Sequence, residues 1–174
     1  SADIYINCST SEVYSMKSWS HKGVKESDPV LLSTAEQSLR TSYAAGKLLT
    51  EFFMMDAVEK GLIRGCSIRF ANVYSDKELY SKHIIPYIIE SFTKSSKLTL
   101  LENAKKTMRT FLHNYDSCTA VISLINNKNA LDGSVYNVGT LEEIKILDLV
   151  DLIAKEMKIH KYDVEFEGYR TADP

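Results

Sequence analysis

The sequence is poor in the residues that break or cross-link a chain. Its 174 residues contain three prolines, seven glycines and three cysteines. So few prolines and glycines leave no stretch with the composition of a flexible linker. The cysteines, Cys8, Cys66 and Cys118, are too scattered for a disulfide framework or a C-x-x-C metal site, and we expect reduced, mostly buried thiols. The four histidines show no ligand spacing, so no metal is expected.

A strong charge of one sign and long apolar runs are lacking too. The formal net charge is -2, and no Lys/Arg cluster occurs, so nucleic acid is not an expected partner. No apolar run approaches the roughly 18–20 residues of a membrane helix, so no membrane is expected either. Reduced cysteines predict the cytoplasm as the location. The remaining composition, with 44% hydrophobic and 25% charged residues, is typical of a globular domain with a substantial core.

Strand-like and helix-like segments alternate along the chain, which predicts an α/β fold with a parallel sheet. Buried strands are expected at 3–8 and 65–70 and a further strand at 133–138, with helices at 41–60, 83–93, 117–126 and 144–157. Asp116 is expected to be the N-cap of the third helix. Since ligands of such sheets bind beyond the carboxyl ends of the strands, Thr10, Ser11 and Glu12 are candidates for chemistry.

Tyr43 and Lys47 lie four residues apart in the predicted helix 41–60. That spacing puts both side chains on one face of the helix, one turn apart. An ammonium beside a phenol favours the phenolate, which can take a proton from a sugar or alcohol hydroxyl. A Tyr-x-x-x-Lys pair is common in helices, so the interpretation depends on the segments that accompany it.

Five such segments accompany the pair. In chain order they are YINCSTSEVY (5–14), SIRFANVY (67–74), RTFLHNYD (109–116), YNVG (136–139) and YRTADP (169–174). In this order and at these distances, the set closely resembles the extended short-chain dehydrogenase/reductase family. It is most similar to the nucleotide-sugar epimerases, dehydratases and decarboxylases of that family. The resemblance covers nearly the whole chain.

The resemblance implies the C-terminal part of a Rossmann-like parallel sheet with helices, plus a small α/β substrate-binding cap. Residues 1–76 and 113–140 are expected to form the second half of the NAD-binding domain, and residues 77–112 and 141–174 the nucleotide-sugar-binding domain. The Gly-rich turn that holds the dinucleotide pyrophosphate in this family is absent from the sequence. We therefore expect the sequence to be the C-terminal half or more of a longer enzyme, entering the fold at about its fifth strand.

The resemblance also implies the catalytic residues, which are Tyr43, Lys47, Thr10 and Glu12. Tyr43 matches the base that deprotonates the sugar 4-hydroxyl, and Thr10 matches the residue that hydrogen-bonds the reacting oxygen. Glu12 matches an acid/base position of some dehydratases and decarboxylases. Tyr43, Lys47 and Ser9 are expected to contact the cofactor, with NAD favoured over NADP.

Substrate binding is assigned in the same way to Thr10, Ser11, Asn72, Arg109 and Arg170. The two arginines match residues near the nucleotide diphosphate, and a planar guanidinium suits phosphate oxygens. Ser11 stands where the common dehydratases carry an Asp, and a serine cannot act as that acid. A homodimer through the Tyr43/Lys47 helix is also implied.

The predicted function is an NAD(P)-dependent epimerase or dehydratase that acts on a nucleotide-diphosphate sugar through a transient 4-keto intermediate. Ser15 and Ser75 replace glycines of the family, and the Gly-rich turn is missing. These departures leave open a catalytically inactive binding or regulatory relative, or an incomplete fragment. A further alternative is an NADP-dependent carbonyl reductase of the same family, which would need no diphosphate clamp.

Overall fold

The computed structural model of the chain describes residues 3–14, 23–30, 39–78 and 80–169. The helices in these ranges are α1 Leu39–Glu59, α2 Ile84–Ser95, α3 Asn114–Asn126 and α4 Ile146–Glu156. The strands are β1 Ile4–Thr10, β2 Arg64–Phe70, β3 Asn72–Tyr74, β4 Lys97–Leu100, β5 Met108–His113, β6 Asp132–Val138, β7 Glu143–Lys145 and β8 Asp163–Phe166. This alternation is the predicted α/β class. No helix in the described ranges has the length and apolarity needed to cross a membrane.

The first sheet is parallel, with the strand order β1-β2-β6. Helix α1 packs on all three strands. In the register of the sheet, Thr10 pairs with Phe70 and Phe70 pairs with Val138. The carboxyl ends of the three strands therefore meet at one edge, which is the edge at which parallel sheets bind ligands.

The second core lies between α2, α4 and the parallel pair β4-β8. Its buried side chains are all apolar: Ile88, Phe92, Leu98, Leu100, Ala104, Ile146, Leu149, Val150 and Ala154. A small sheet of order β3-β5-β7 connects the two parts of the molecule, because a single residue separates β2 from β3 and β7 runs directly into α4. The carboxyl edge of the first sheet thus faces elements that belong to the second core.

The start of α3 differs from the prediction. The helix begins at Asn114 rather than at residue 117, so Asp116 lies in its first turn and is not its N-cap. The N-cap is His113, whose ring Nδ1 accepts a 3.2 Å hydrogen bond from the Tyr115 amide. An acidic residue stabilises a helix both at its N-cap and in its first turn. The residue type of Asp116 therefore could not show which of these two positions it occupies.

The prediction of mostly buried thiols is wrong. Only Cys66 is buried, whereas Cys8 and Cys118 are exposed. Burial, together with the negative charge of Asp132, raises the pKa of the Cys66 thiol. Cys8 lies on β1, which is at the edge of the described sheet, where fewer neighbours cover a side chain. The apolar run at the start of the chain therefore forms strand β1 as predicted, but the strand is not buried on both faces.

Candidate active site

Helix α1 brings Tyr43 and Lys47 to the carboxyl end of β1. The Lys47 ammonium lies 5.8 Å from the centre of the Tyr43 ring. Its Nζ also donates a 2.7 Å hydrogen bond to the carbonyl oxygen of Cys8. Tyr43 itself is 48% exposed. The pair that was predicted from its spacing thus shares one face of the helix, and the phenol is accessible to an incoming molecule.

A cavity of about 270 Å³ opens where Tyr43 meets the end of β1. Thr10, Ser11 and Glu12 line this reaction cavity together with Tyr43. The chain leaves β1 through the short 3-10 helix Ser11–Tyr14, and within this turn the Glu12 amide donates a 3.3 Å hydrogen bond to Thr10 Oγ1. Two hydroxyl side chains, a carboxyl and a phenol are therefore close enough to contact one small molecule.

A second cavity, of about 500 Å³, adjoins the reaction cavity. Arg109 on β5 lines this distal cavity, and its Nη1 donates a 2.9 Å hydrogen bond to the Met108 carbonyl oxygen. The residues that line both cavities are Asn72, His83, Ile84 and Phe111. Because they share these walls, the two cavities suit a molecule of two parts, with one part beside Tyr43 and the other beside Arg109.

One of the predicted site residues, Ser9, is placed elsewhere. Ser9 is 5% exposed, and its hydroxyl donates a hydrogen bond to the carboxylate of Glu51 on α1. It lines neither the reaction cavity nor the distal cavity. Arg170 lies outside the described residues, so its role in substrate binding stays a prediction.

A buried ion pair lies next to Ser9. Arg69, near the end of β2, donates from Nε and Nη2 to the Glu51 carboxylate at 2.9 and 2.6 Å. Its Nη1 donates a 2.7 Å hydrogen bond to the Tyr14 hydroxyl, which in turn donates a 2.7 Å hydrogen bond to Asn137 Oδ1 on β6. Burial lowers the pKa of Arg69, but the hydrogen bonds to Glu51 and Tyr14 outweigh it, so this pKa stands above its ordinary value. The guanidinium therefore stays charged.

The role of Glu51 was missed at the sequence level, although a signal for it exists. Glu51 follows Lys47 by four residues and Tyr43 by eight, so the three side chains lie on neighbouring turns of one helix face. If this helix packs against a sheet, its side nearest the sheet buries Glu51, and a buried carboxylate needs a partner. The identity of that partner, Arg69, becomes clear only from the fold.

Comparison with known proteins gives one family and many similar structures. Residues 2–139 match the model of the NAD dependent epimerase/dehydratase family. No curated protein matches the chain. The UDP-glucuronic acid 4-epimerase from Bacillus cereus superimposes with a TM-score of 0.81, at 22% identity over 99% of this chain and 51% of its own. The UDP-N-acetylglucosamine 4-epimerase from Methanobrevibacter ruminantium M1 superimposes with a TM-score of 0.78, at 21% identity over 98% of this chain and 52% of its own.

The dTDP-glucose 4,6-dehydratase from Bacillus anthracis is also similar, with a TM-score of 0.78 at 22% identity over 96% of this chain and 50% of its own. The chain thus spans about half the length of these structures. The shared fold confirms the prediction of a Rossmann-like α/β architecture. Because the family model matches residues 2–139 of 174, well over half of the sequence, the chain belongs to the NAD dependent epimerase/dehydratase family.

Proposed function

We propose that the protein to which this chain belongs epimerises or dehydrates a nucleotide-diphosphate sugar through a transient 4-keto intermediate. One observation carries this proposal: the reaction cavity, with Tyr43 and Glu12, adjoins the distal cavity, with Arg109. Acid–base groups surround the first space and a cation lines the second. This division fits a substrate that has a sugar at one end and a charged nucleotide at the other.

NAD or NADP is the cofactor of this family, and the residues present fit it. Tyr43 and Lys47 present a phenol and an ammonium at the carboxyl end of β1, where parallel sheets bind dinucleotides. The Lys47 ammonium can donate hydrogen bonds to ribose hydroxyls, and the Tyr43 oxygen can accept one from them. When bound, the dinucleotide would supply the hydride-transfer chemistry of the reaction.

The acid–base steps fall to the chain's own residues. Tyr43 takes the proton of the sugar 4-hydroxyl, while the Thr10 hydroxyl hydrogen-bonds the same oxygen. The Lys47 ammonium lies on the same side, 5.8 Å from the centre of the Tyr43 ring. The 4-keto group makes the proton on the neighbouring carbon acidic. Glu12, which directly follows Ser11 at the end of β1, would move it, since Ser11 cannot.

Substrate binding is proposed for residues that line the distal cavity. Arg109 and Asn72 would hold the diphosphate, because a guanidinium and an amide both donate hydrogen bonds to its oxygens. Similar solved structures include enzymes named for UDP-sugars and dTDP-sugars, so both nucleotides are candidates. Arg109→Ala separates this proposal from a simple carbonyl reductase. It should raise KM for a nucleotide sugar, whereas an unchanged KM would favour the reductase.

The test of the catalytic role is Tyr43→Phe in the native protein. We expect kcat to fall by about 100- to 10,000-fold, the range of general acid–base catalysis, while the affinity for substrate stays the same. Tyr115→Phe is the matched control, because Tyr115 is exposed on α3 and lines neither cavity. Unchanged turnover in Tyr43→Phe would refute the proposed role.

A homodimer through α1 is proposed as well. Leu49, Phe52 and Phe53 are exposed on this helix, with Phe53 at 65%. Adjacent exposed apolar side chains favour burial against a partner, and a second copy of α1 presents the same surface. Analytical ultracentrifugation of the native protein should show a dimer that Phe53→Glu dissociates. A monomer in the wild type would contradict the proposal.

A further inference from the structure

Tyr14 ends the short 3-10 helix Ser11–Tyr14, which is the turn that carries Glu12. Its side chain is 4% exposed. The hydroxyl accepts a 2.7 Å hydrogen bond from Arg69 Nη1 and donates one of 2.7 Å to Asn137 Oδ1. A phenol has a single proton and an arginine can only donate, so the direction of both bonds is fixed. Tyr14 therefore attaches the turn to β2 and to β6 at the same time.

Asn137 accepts the hydrogen bond of Tyr14 and is itself held in place by further bonds. It lies opposite Arg69 in the register of the sheet. Its Nδ2 donates a 3.0 Å hydrogen bond to the Val24 carbonyl oxygen, and its backbone amide donates one of 2.7 Å to the Glu26 carboxylate. Because Nδ2 donates to Val24, Oδ1 is the atom turned towards Tyr14, which needs an acceptor. The side-chain amide thus has the orientation that Tyr14 requires.

Two of the proposed catalytic residues near the end of β1 are held by different means. Thr10 is the last residue of the strand and pairs with Phe70, so the sheet fixes its backbone. Glu12 lies beyond the strand, so its place depends on how the turn is attached. Tyr14 and Asn137 line neither the reaction cavity nor the distal cavity. They can therefore act on the reaction only through a residue that does, and Glu12 belongs to the same turn as Tyr14.

We propose that Tyr14 and Asn137 are positioning residues, whose hydrogen bond sets the place of the Glu12 carboxyl in the reaction cavity. This inference rests on the proposed function and deepens it, because Glu12 would move the proton next to the 4-keto group. Both residues lie in segments that carry the family resemblance, YINCSTSEVY (5–14) and YNVG (136–139), but the resemblance assigns a role to neither.

The inference separates the two steps of the proposed reaction. Oxidation of the sugar depends on Tyr43, which α1 carries, and on Thr10, which the sheet fixes. Movement of the neighbouring proton depends on Glu12. Loss of the hydrogen bond between Tyr14 and Asn137 should therefore slow the second step and spare the first, whereas a general defect of the fold would slow both.

The test follows both steps in the native protein with NAD. The probes are dTDP-glucose, UDP-glucuronic acid and UDP-N-acetylglucosamine, for which similar structures are named. NADH absorbance reports the oxidation. Deuterium uptake from deuterated water at the carbon next to C4, read by mass spectrometry, reports the proton movement. In Tyr14→Phe we expect deuterium uptake to slow about tenfold or more, since a misplacement of about 1 Å can cost about 100-fold. NADH formation should stay within about twofold of the wild-type rate.

Tyr162→Phe is the matched control, because the Tyr162 hydroxyl donates a hydrogen bond to Asp151 on α4 and the residue lines neither cavity. It should change neither rate. Unchanged deuterium uptake in Tyr14→Phe would overturn the inference, and so would equal losses in both rates. A wild-type protein that forms NADH but takes up no deuterium would overturn it too, although 4-epimerisation would stand. A wild-type protein that forms no NADH with any probe would refute the proposed function, and this inference with it.

Two substitutions of Asn137 test the partner in the same bond. Asn137→Ala removes the acceptor, so deuterium uptake should slow as in Tyr14→Phe. The double variant should be no slower than either single variant, because both side chains act through one hydrogen bond. Asn137→Asp keeps an oxygen for the Tyr14 hydroxyl, so it should slow uptake less than Asn137→Ala. Since both Asn137 variants leave Tyr14 in place, they decide the question even if Tyr14→Phe does not fold. Losses that multiply in the double variant, or a larger loss in Asn137→Asp than in Asn137→Ala, would overturn the inference.

Discussion

The two cores of the molecule are built from different kinds of side chain. Around the first sheet, the buried residues include the Glu51–Arg69 ion pair, and Asn7, whose side-chain amide donates a 3.0 Å hydrogen bond to Ser67 Oγ. The core between α2, α4, β4 and β8 buries apolar side chains instead. A buried ion pair is seldom more stabilising than well-packed apolar residues of similar size. Stability alone therefore does not explain why the core beside the candidate active site is polar.

The largest effect is expected from breaking the buried pair. Arg69→Met leaves the Glu51 carboxylate buried without its cation, and removing one partner of such a pair costs about 3–5 kcal/mol. Chemical denaturation should show this loss in the free energy of unfolding. The double variant Glu51→Met with Arg69→Met removes both charges, so it should recover most of the loss. A double variant as unstable as Arg69→Met would mean that the cost comes from packing and not from the unpaired charge.

A somewhat smaller effect is expected in the apolar core. Leu98 is 1% exposed there, and a buried Leu→Ala change costs about 2–5 kcal/mol, depending on how far the cavity relaxes. The loss should appear in thermal or chemical unfolding. Leu62→Ala is the control, since Leu62 is exposed and an ordinary surface change stays within about 0.5 kcal/mol. Similar losses in both variants would contradict the described burial.

The smallest effect belongs to an exposed ion pair at the C-terminal end of the helix that carries Glu51, between Asp56 on α1 and Lys60 directly after it. Lys60 Nζ lies 2.7 Å from Asp56 Oδ2, and both side chains are exposed. An exposed i,i+4 pair contributes about 0.3–0.5 kcal/mol, so Lys60→Ala should barely change the unfolding midpoint. Comparing Lys60→Ala with Arg69→Met therefore shows how burial changes the contribution of an ion pair to stability. A large loss of unfolding free energy in Lys60→Ala would contradict the expected difference between the exposed and the buried ion pair.

The parts of this site that could be predicted are those whose residues lie close together in the sequence. The Tyr43–Lys47 spacing is a property of one helix, and Thr10 to Glu12 follow directly from the end of a strand, so both were predictable. The Glu51–Arg69 pair joins residues that are 18 positions apart on different elements. The two adjoining cavities likewise bring the turn after β1 close to β5, through side chains that line both of them. These relationships depend on packing, which spacing along the chain does not encode.

Helix α1 is attached to the sheet at three points, which has a mechanical consequence. Lys47 bonds to the Cys8 carbonyl oxygen, and Glu51 bonds both to Ser9 and to Arg69. Two attachments to one strand prevent the helix from sliding along it. The third, to the neighbouring strand, prevents the helix from rolling about the line through the other two. Because the helix can neither slide nor roll as a rigid body, the position of the Tyr43 backbone is fixed relative to the backbone of the sheet.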